Sequence, residues 1–426
     1  MRPLFRLYRG VHRLSHGLRR RLTPLGGWLL GGWVATGAFG INTRVGMTYQ
    51  LFALLTTVFG VALLASRFGG WPVTAHRQLP RFATVGQPLR YRLHLRNHGA
   101  GTQRDLTAFD ELRESSTFST PRRRFPTYRQ WSRQMVQARG ANSETQPLPT
   151  LPPGAVTDAE LTLTPLRRGW LEFAALNFGR PEPLGLLQRR FRQPLADRLL
   201  VLPRRYPVPP LHFHAGRRYQ RGGVHLAQSI GEEDEFIGLR EYRPGDPPRR
   251  IHWRSFAKRG EPIVKEFQDE FFVRHGLLLD HCAVGADETR FETAVSAAAS
   301  IAAAERSSET LLDLLFVGDR AYCFTAGRGL GQTEQLLEIL ACVQPRRDQS
   351  FSRLLALLAS HAPTLSACVC ILLDWDAERR QLLDLLRGHG VATVALVIGP
   401  PSAPPPPGIR VTTAETLATE LARLTA

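Results

Sequence analysis

The sequence predicts a multi-domain protein with three structured parts: an N-terminal transmembrane helical hairpin, a β-sandwich-like middle domain and a C-terminal α/β domain with a doubly wound sheet. Two long uncharged segments predict the hairpin. Alternating apolar and polar residues predict the β domain, and apolar runs between helical stretches predict the α/β domain. We expect a basic cytoplasmic tail over residues 1–22, the hairpin over 23–68, the β domain over 72–205, a junction over 206–270 and the α/β domain over 271–426.

The positive charge of the chain is concentrated near its start. The 426 residues include 55 Lys and Arg against 37 Asp and Glu, a net charge of +18. Residues 1–104 contain 15 Arg and no acid, whereas residues 105–426 hold 40 basic and 37 acidic residues, a net +3. The basicity therefore belongs to the end that carries the apolar segments. It indicates the anionic head groups of a lipid bilayer, rather than nucleic acid, as the partner.

The two uncharged segments predict transmembrane helices over about 25–41 and 47–66. A bilayer core of about 30 Å needs roughly 20 helical residues, so the second segment spans it and the first is just long enough. Seven Arg precede the pair and Arg67, Arg77 and Arg81 follow it, whereas the linker has only Arg44. The positive-inside rule then places both termini and the soluble domains in the cytoplasm. Five cysteines without the spacing of a disulfide framework agree with that reducing compartment.

The middle of the chain has the patterns of β structure. Residues 89–95 alternate strictly between apolar and polar side chains and end at a turn signal, and further short strands follow at 161–164 and 170–173. Short strands with regular turn signals suggest a sandwich. Residues 122–149 are polar and rich in Arg, Gln and Ser, so we interpret them as an insertion.

The last part of the chain changes period. Four apolar strands are predicted, at 272–279, 311–317, 368–373 and 391–398. Helical stretches lie between or after them, at about 288–306, 334–343, 351–361, 377–387 and 414–424. Strands that are apolar throughout are buried on both faces, so this order implies a mainly parallel, doubly wound sheet. Thr412 and Glu415 have the spacing of a capping box for the last helix.

Two of the predicted strands end in an acid, Asp280 and Asp374. Ligands of such sheets bind beyond the carboxyl ends of the strands, and carboxylates suit Mg²⁺. Thr333 could supply a further oxygen, but no hydroxyl closely follows Asp280, and two carboxylates seldom hold the ion. We therefore expect structural acids and no cofactor, with Mg²⁺ at Asp280, Thr333 and Asp374 as the alternative.

Other candidate chemistry is weaker. Cys282 and the histidine before it are neighbours on a strand and point to opposite faces, so no catalytic thiol is expected. His212 and His214 could make half of a zinc site, but two further spaced ligands are missing. Cys368 and Cys370 lie two apart in an apolar run, so we expect them buried on one face of a strand. No catalytic residue is predicted.

Residues 231–270 carry the densest motif of the chain. Pro244 and Gly245 suit a type II turn, after which Asp246 is expected to N-cap a short helix that ends before Gly260. The apolar side chains of this stretch, Trp253 among them, are expected to be buried. A solvated connector between two domains is the alternative to the structured interaction surface that we favour. The residues assigned to this surface are Arg240, Glu241, Tyr242, Pro244, Gly245, Asp246, Arg250, Trp253, Arg254 and Lys258.

A widespread bacterial family called domain of unknown function 58 has a hallmark motif that this chain resembles. The resemblance lies in Leu239-Arg240-Glu241-Tyr242-x-Pro244-Gly245-Asp246, followed by Arg250-Ile251-x-Trp253-Arg254 and Ala257-Lys258. It implies a C-terminal domain similar to the von Willebrand factor type A fold. The metal loop of that fold, Asp-x-Ser-x-Ser, here reads Asp280-x-Cys282-x-Val284, so only Asp280, Asp374 and Thr333 carry over.

The same resemblance implies a bacterial inner-membrane protein with a MoxR-type AAA+ ATPase as partner. We therefore expect a non-enzymatic adaptor or scaffold, two-pass and facing the cytoplasm. It would act with this ATPase in the assembly or maturation of a client complex. The alternative is a metal-dependent binding protein or enzyme that uses Asp280 and Asp374.

Overall fold

The structure is a computed structural model, which describes residues 21–39, 46–67, 70–113, 140–209, 213, 220–221, 235–268, 271–282, 288–304, 310–317, 321–326, 330–345 and 351–424. The chain divides into two units, Met1–Leu202 and Pro203–Ala426. Helices and several sheets occur together, which confirms the mixed α/β, multi-domain class. The basic tail over 1–20, the first part of the polar insertion, and His212 and His214 lie outside the described residues.

The two uncharged segments form helices α1, Pro24–Phe39, and α2, Gly46–Ala65. Trp33 stacks on Phe52 with ring centroids 5.6 Å apart, and its indole N–H donates to the hydroxyl of Thr56 at 2.8 Å. Among the described helices, α2 alone is both long enough and apolar enough to cross a membrane. Helix α1 has 16 residues, about 24 Å of helix, which is shorter than a bilayer core of about 30 Å.

The start of α1 is tied to the β part of its own unit. The hydroxyl of Thr23 accepts a hydrogen bond from the N–H of Gly26 at 3.0 Å and donates to the carbonyl of Gly185 at 2.5 Å. Gly26 is required by this approach, since a Cβ there would lie 2.0 Å from the carbonyl oxygen of Leu186. Thr23 thus begins the helix as a cap, with Pro24 at the first helical position.

The described residues of the first unit also form nine strands: β1 Val73–Gln78, β2 Phe82–Thr84, β3 Leu89–Asn97, β4 Thr107–Leu112, β5 Ala141–Ser143, β6 Gln146–Pro147, β7 Val156–Pro165, β8 Gly169–Pro181 and β9 Gln188–Leu202. They make two sheets, with the orders β1-β3-β7-β5 and β2-β9-β8-β4-β6. Their described pairings are antiparallel except that of β2 with β9. Leu93 and Leu161 of one sheet and Phe178 and Val201 of the other share a single core.

A buried charged cluster lies within this unit. The guanidinium of Arg77 pairs with Asp110 and with Asp197, and it lies 4.4 Å from the ring centre of Phe173. The hydroxyl of Tyr91 also donates to Asp110. Burial raises the pKa of Asp110 to about 6, against the opposing effect of Arg77. Arg77 and Asp110 are both inaccessible to a substrate, so we assign this cluster a structural role.

Nine more strands occur in the part of the second unit that the structure describes: β10 Gln220–Arg221, β11 Glu235–Glu241, β12 Ile263–Gln268, β13 Phe271–Leu279, β14 Thr310–Val317, β15 Ala321–Ala326, β16 Ala367–Leu372, β17 Ala392–Ile398 and β18 Arg410–Thr412. The main sheet has the order β15-β14-β13-β16-β17-β18, and β10 adds to β13. Strands β14, β13, β16, β17 and β18 are parallel, and β15 is an antiparallel edge. Strands β11 and β12 form a separate antiparallel pair.

The helices of this unit are α3 Trp253–Arg259, α4 Glu288–Ala304, α5 Leu330–Cys342, α6 Ser352–His361, α7 Ala377–Gly388 and α8 Leu417–Ala422. Helices α6 and α7 share a buried core with Leu278 and Cys370. Leu277 and Ile371, which alternate with these residues along β13 and β16, are buried as well. Burial on both sides of the strands agrees with the doubly wound arrangement that the apolar runs predicted.

Some local expectations were met and others were wrong. Cys368 and Cys370 lie buried on one face of β16 with their sulfur atoms 3.8 Å apart, as expected. Strand β15 was not predicted, because its exposed positions interrupt an apolar pattern. The capping box was also wrong: α8 begins after Thr416, and the hydroxyl of Thr412 lies 3.0 Å from that of Thr416.

Candidate functional site

The carboxyl ends of β13 and β16 form the point at which the strand order of the main sheet changes direction. Strand β13 has β14 on one side and β16 on the other, both parallel to it. Ligands of doubly wound sheets bind beyond such a point. Asp280 directly follows β13 and Asp374 follows β16 by two residues, so both acids lie at this edge, as the sequence predicted.

Asp280 is completely buried and forms an ion pair with Arg379 of α7. Nε and Nη2 of Arg379 donate to Oδ2 of Asp280 at 3.0 and 2.9 Å. The backbone N–H groups of Cys282 and Leu373 donate to its two oxygens at 2.9 and 3.1 Å. Both carboxylate oxygens therefore have protein donors, and a guanidinium supplies the compensating positive charge.

Arg379 is held from three sides. Besides Asp280, its Nη1 pairs with Asp376, the residue that caps α7 by accepting the backbone N–H of Arg379 at 3.0 Å. Its guanidinium carbon lies 4.5 Å from the ring centre of Phe351, in cation–π geometry. Burial lowers the pKa of Arg379, but the two carboxylates outweigh burial and keep that pKa above its ordinary value. The side chain is thus a fixed cation.

Asp374 accepts hydrogen bonds from the Pro-rich loop after β17 and from the residue that follows it in the chain. The backbone N–H and the hydroxyl of Ser402 donate to Asp374 at 2.7 and 2.6 Å, and the N–H of Trp375 donates at 2.7 Å. Burial raises the pKa of Asp374, but these hydrogen bonds outweigh burial, so that its pKa lies below its ordinary value. The carboxylate is ionised and serves to tie the loop to the end of β16.

The residues at this edge do not fit a divalent cation. Thr333 lies in the first turn of α5, and within the described residues it makes no hydrogen bond to either carboxylate. No group of three His, Cys, Asp or Glu side chains that could hold a metal ion occurs in the described part of the chain. The guanidinium of Arg379 already compensates the negative charge that Asp280 would offer to Mg²⁺, and it would repel a second cation beside it.

Cys282 lies at the same edge but is poorly suited to be a nucleophile. Its side chain is buried. Burial raises the pKa of its thiol to about 12, and the neighbouring charge of Asp280 acts in the same direction. A thiol needs a lowered pKa to react readily, and burial has the opposite effect here. That Cys282 is not catalytic stays a prediction.

The motif of residues 238–260 begins on strand β11, whose partner β12 follows it. Asp246 accepts two hydrogen bonds from the guanidinium of Arg240, both at 2.7 Å, and one from the N–H of Arg243 at 2.8 Å. The hydrogen bonds from Arg240 lower the pKa of Asp246 to about 2, with help from Arg243. Gly245 has a φ of 107°, as expected for the third position of a type II turn. The turn is therefore fixed by a bidentate ion pair.

Asp246 does not cap a helix, contrary to the prediction. A 3₁₀ turn, Pro248–Arg250, and the separate helix α3 replace the single helix that was expected. The carboxylate of Asp246 points back to Arg240, and neither helical segment has a side-chain cap. Gly260 does end α3 as predicted: its φ is 77°, and its N–H donates to the carbonyl of Phe256.

Trp253 is exposed, and the expectation that it would be buried is wrong. Its side chain is 62% exposed, although its ring meets that of Phe256 edge-on with centroids 6.1 Å apart. Ser255 and Phe256, the next residues of α3 after Arg254, are half-buried. The helix thus uses Phe256 for packing and leaves the larger ring of Trp253 in solvent.

The other predicted motif residues surround this helix. Tyr242 and Arg250 are half-buried, and the N–H of Tyr242 donates to the carbonyl of Pro262 at 3.0 Å. Exposed side chains make up the rest of the set: Glu241, Pro244, Arg254 and Lys258. The predicted residues therefore belong to one local fold, in which Arg240 and Asp246 form the ion pair that fixes the turn.

The comparisons with known proteins bear on this same region. Residues 238–382 match the model of a family described as "Protein of unknown function DUF58". About a third of the chain is therefore similar to this family. The matched DUF58 residues begin just before Arg240 and extend past Arg379, so they include both the motif and the carboxyl-edge acids. This confirms the family resemblance that the motif predicted.

The chain is also similar to one curated relative and to two solved structures over part of its length. "Uncharacterized protein YeaD" of Bacillus subtilis (strain 168) is 26% identical over 177 residues, which are 41% of this chain and 42% of that protein. The match thus spans less than half of that relative's length. The CARDB domain of a Pyrococcus furiosus protein is 12% identical over 30% of this chain and 94% of that domain, with a TM-score of 0.18. A Salmonella α2-macroglobulin mutant is 18% identical over 36% of this chain and 8% of its own, also with a TM-score of 0.18.

Sequence reasoning missed the residue that organises the carboxyl edge, Arg379. A signal was present in the helix that carries it. Leu382, Leu383 and Leu386 form the apolar stripe of α7, and Arg379 occupies the preceding position of the same stripe. A charged residue on the buried face of an amphipathic helix requires a buried partner, and Asp280 is that partner.

Proposed function

We propose that the protein is a non-enzymatic adaptor or scaffold of the bacterial inner membrane. It acts with a MoxR-type AAA+ ATPase in the assembly or maturation of a client complex. The exposure of Trp253 on a rigid motif is the observation that carries this proposal. A large aromatic side chain left in solvent, next to Arg and Lys, is typical of a binding surface.

A binding role also agrees with the chemistry of the carboxyl edge. Asp280 and Asp374 both accept hydrogen bonds from protein donors on each carboxylate oxygen, and the thiol of Cys282 has a raised pKa. The order of the main sheet, in which the parallel strands are followed by β15 as an antiparallel edge, supports a fold similar to the von Willebrand factor type A domain. We propose that this domain binds proteins without a bound ion.

The membrane part of the proposal rests on α1 and α2. Both helices are uncharged, α2 exposes most of its apolar side chains, and Trp33 joins the pair through Phe52. We propose that they form a two-pass hairpin with the rest of both units in the cytoplasm.

An Asn42→Cys variant tests this topology in intact spheroplasts. A membrane-impermeant maleimide should label position 42 and should leave the exposed Cys342 unlabelled until the membrane is opened. Labelling of Cys342 in intact cells would contradict the orientation.

The partner is tested by affinity purification of the full chain from native membranes, followed by quantitative mass spectrometry. The wild-type protein should recover a MoxR-type ATPase, and Trp253→Ala should recover at least about tenfold less of it. Arg380→Ala, which removes an exposed arginine from α7, serves as the matched control and should recover the wild-type amount. Recovery of no ATPase by the wild-type chain would refute the adaptor function.

A further inference from the structure

The exposed face of α3 combines one aromatic ring with two cations. Trp253, Arg254, Ala257 and Lys258 are all exposed. Residues four apart lie on the same side of a helix, so Arg254 and Lys258 form one row and Trp253 and Ala257 form the row beside it. Ala257 is small, which leaves one side of the indole ring open to a ligand. These four residues are called the motif surface below.

The charge around the motif surface has a single sign. Residues 247–260 contain five basic residues and no acid. Exposed acids lie on either side of this stretch: Glu241 at the end of β11 and Glu261 just before β12. The positive patch is therefore local, and it would suit a partner segment of similar size with negative charge.

The motif surface is held in place before any partner binds. The N–H of His252, just before α3, donates to the carbonyl of Ile263 on β12 at 2.8 Å, and its ring nitrogen lies 2.7 Å from the hydroxyl of Ser255. At the other end of α3, the N–H of Gly260 donates to the carbonyl of Phe256 at 2.9 Å. That second hydrogen bond closes the helix itself, whereas the one from His252 ties the start of the helix to β12. A surface held in this way loses little conformational entropy on binding, which favours affinity.

We propose that the motif surface binds a short acidic segment of a partner protein. An apolar side chain of that segment packs on the indole of Trp253 beside Ala257, and its carboxylates pair with Arg254 and Lys258. This inference rests on the proposed adaptor function and goes beyond it by naming the chemistry that the partner must present. Arginine and tryptophan are the side chains that most often dominate such interfaces.

An anionic membrane and a nucleic acid are less suited to the same surface. A helix that lies in a membrane interface buries a continuous apolar face. Helix α3 has only seven residues, and Trp253 is its one exposed aromatic side chain. A nucleic acid follows an extended basic track, whereas Glu241 and Glu261 bound this patch. The limited extent of the positive charge therefore favours a short peptide.

Fluorescence anisotropy on the full chain in nanodiscs of neutral lipid tests the proposal. The probe is a short labelled peptide that alternates Glu with Leu, and its matched control alternates Gln with Leu. We expect the Glu peptide to bind and the Gln peptide to bind at least about tenfold more weakly. The double variant Arg254→Glu with Lys258→Glu, and separately Trp253→Ala, should each weaken binding at least about tenfold. Arg380→Ala should leave it unchanged.

Three outcomes would overturn the proposal. The Glu peptide binds all variants equally, or it does not bind the wild-type chain at all. In the third outcome, phosphatidylglycerol vesicles or a single-stranded oligonucleotide bind in a Trp253-dependent manner and the peptide does not.

Failure of the adaptor function itself would give a different result, namely that the wild-type chain recovers no ATPase from membranes. Recovery of the ATPase by both wild type and Trp253→Ala would refute only the inference about the motif surface. Circular dichroism of each variant should match the wild-type spectrum, since all the changed side chains are exposed.

Discussion

Replacement of Arg379 by Ala is expected to destabilise the second unit by about 3–5 kcal/mol. The magnitude follows from the burial of its partner. Asp280 has no exposed surface, and Arg379 contributes two of the four hydrogen bonds that this carboxylate accepts. Without the guanidinium, Asp280 keeps its two backbone donors but loses the positive charge that compensates it. A buried carboxylate without that charge is the reason for the large expected loss of stability.

Two further variants separate charge from geometry. Arg379→Lys keeps the charge but cannot make both hydrogen bonds to Oδ2 of Asp280 together with the contact to Asp376, so we expect a smaller loss of about 1.5–3 kcal/mol. Asp280→Asn combined with Arg379→Ala removes both charges. This double variant should be more stable than the sum of the single effects predicts, by at least about 1 kcal/mol.

Hydrogen exchange measured by mass spectrometry on the full chain gives the local free energy of opening. The informative amides are those of β16, Ala367–Leu372, and α7, Ala377–Gly388, which are joined to Asp280 through Leu373 and Arg379. Arg380→Ala is the control, because it removes the exposed arginine next in sequence. A loss below about 1 kcal/mol for Arg379→Ala would refute the reasoning. So would an increase in wild-type stability on addition of millimolar Mg²⁺, since a bound ion stabilises the folded state.

Three smaller predictions concern single groups. The pKa of Asp246 is about 2 in the folded chain, against an ordinary 3.8. The stability that its ionised carboxylate gives to the turn is therefore complete above pH 3.8 and is lost as the pH falls through 2. Asp246→Asn should speed the hydrogen exchange of the motif amides at neutral pH. Alkylation with iodoacetamide at neutral pH, followed by peptide mapping, should modify the exposed Cys342 long before Cys282, and equal rates would contradict the buried, high-pKa thiol. Gly260→Ala should reduce the stability of α3 by about 1 kcal/mol, as measured by amide protection, because φ is 77° there.

Periodicity was sufficient to predict most of the α/β unit. Apolar runs of six to nine residues mark strands that are buried on both faces, and β13, β14, β16 and β17 lie within one or two residues of the predicted bounds. Strand β15 does not follow that rule. It pairs with one neighbour at the sheet edge and exposes Tyr322 and Cys323, so its sequence carries no continuous apolar signal.

The site was harder to predict because it depends on pairs that are distant in sequence. The two acids could be placed at one edge, since parallel strands end together. Their partners could not: Arg379 lies 99 positions from Asp280, and Ser402 lies 28 positions from Asp374 in a Pro-rich loop. The predicted helix cap in the motif was wrong for another reason. Asp246 had two local options, a helix cap or an ion pair with Arg240, and the strand pairing of β11 with β12 placed Arg240 within reach.

Photo-crosslinking in living cells tests most directly whether the motif surface meets a partner. A photo-reactive phenylalanine analogue is placed at position 259 of α3, next to Lys258 but outside the motif surface, and at position 380 of α7 as the control. We predict a light-dependent adduct with a MoxR-type ATPase from position 259 and none from position 380. Adducts from neither position, or equal adducts from both, would contradict the docking role of this surface.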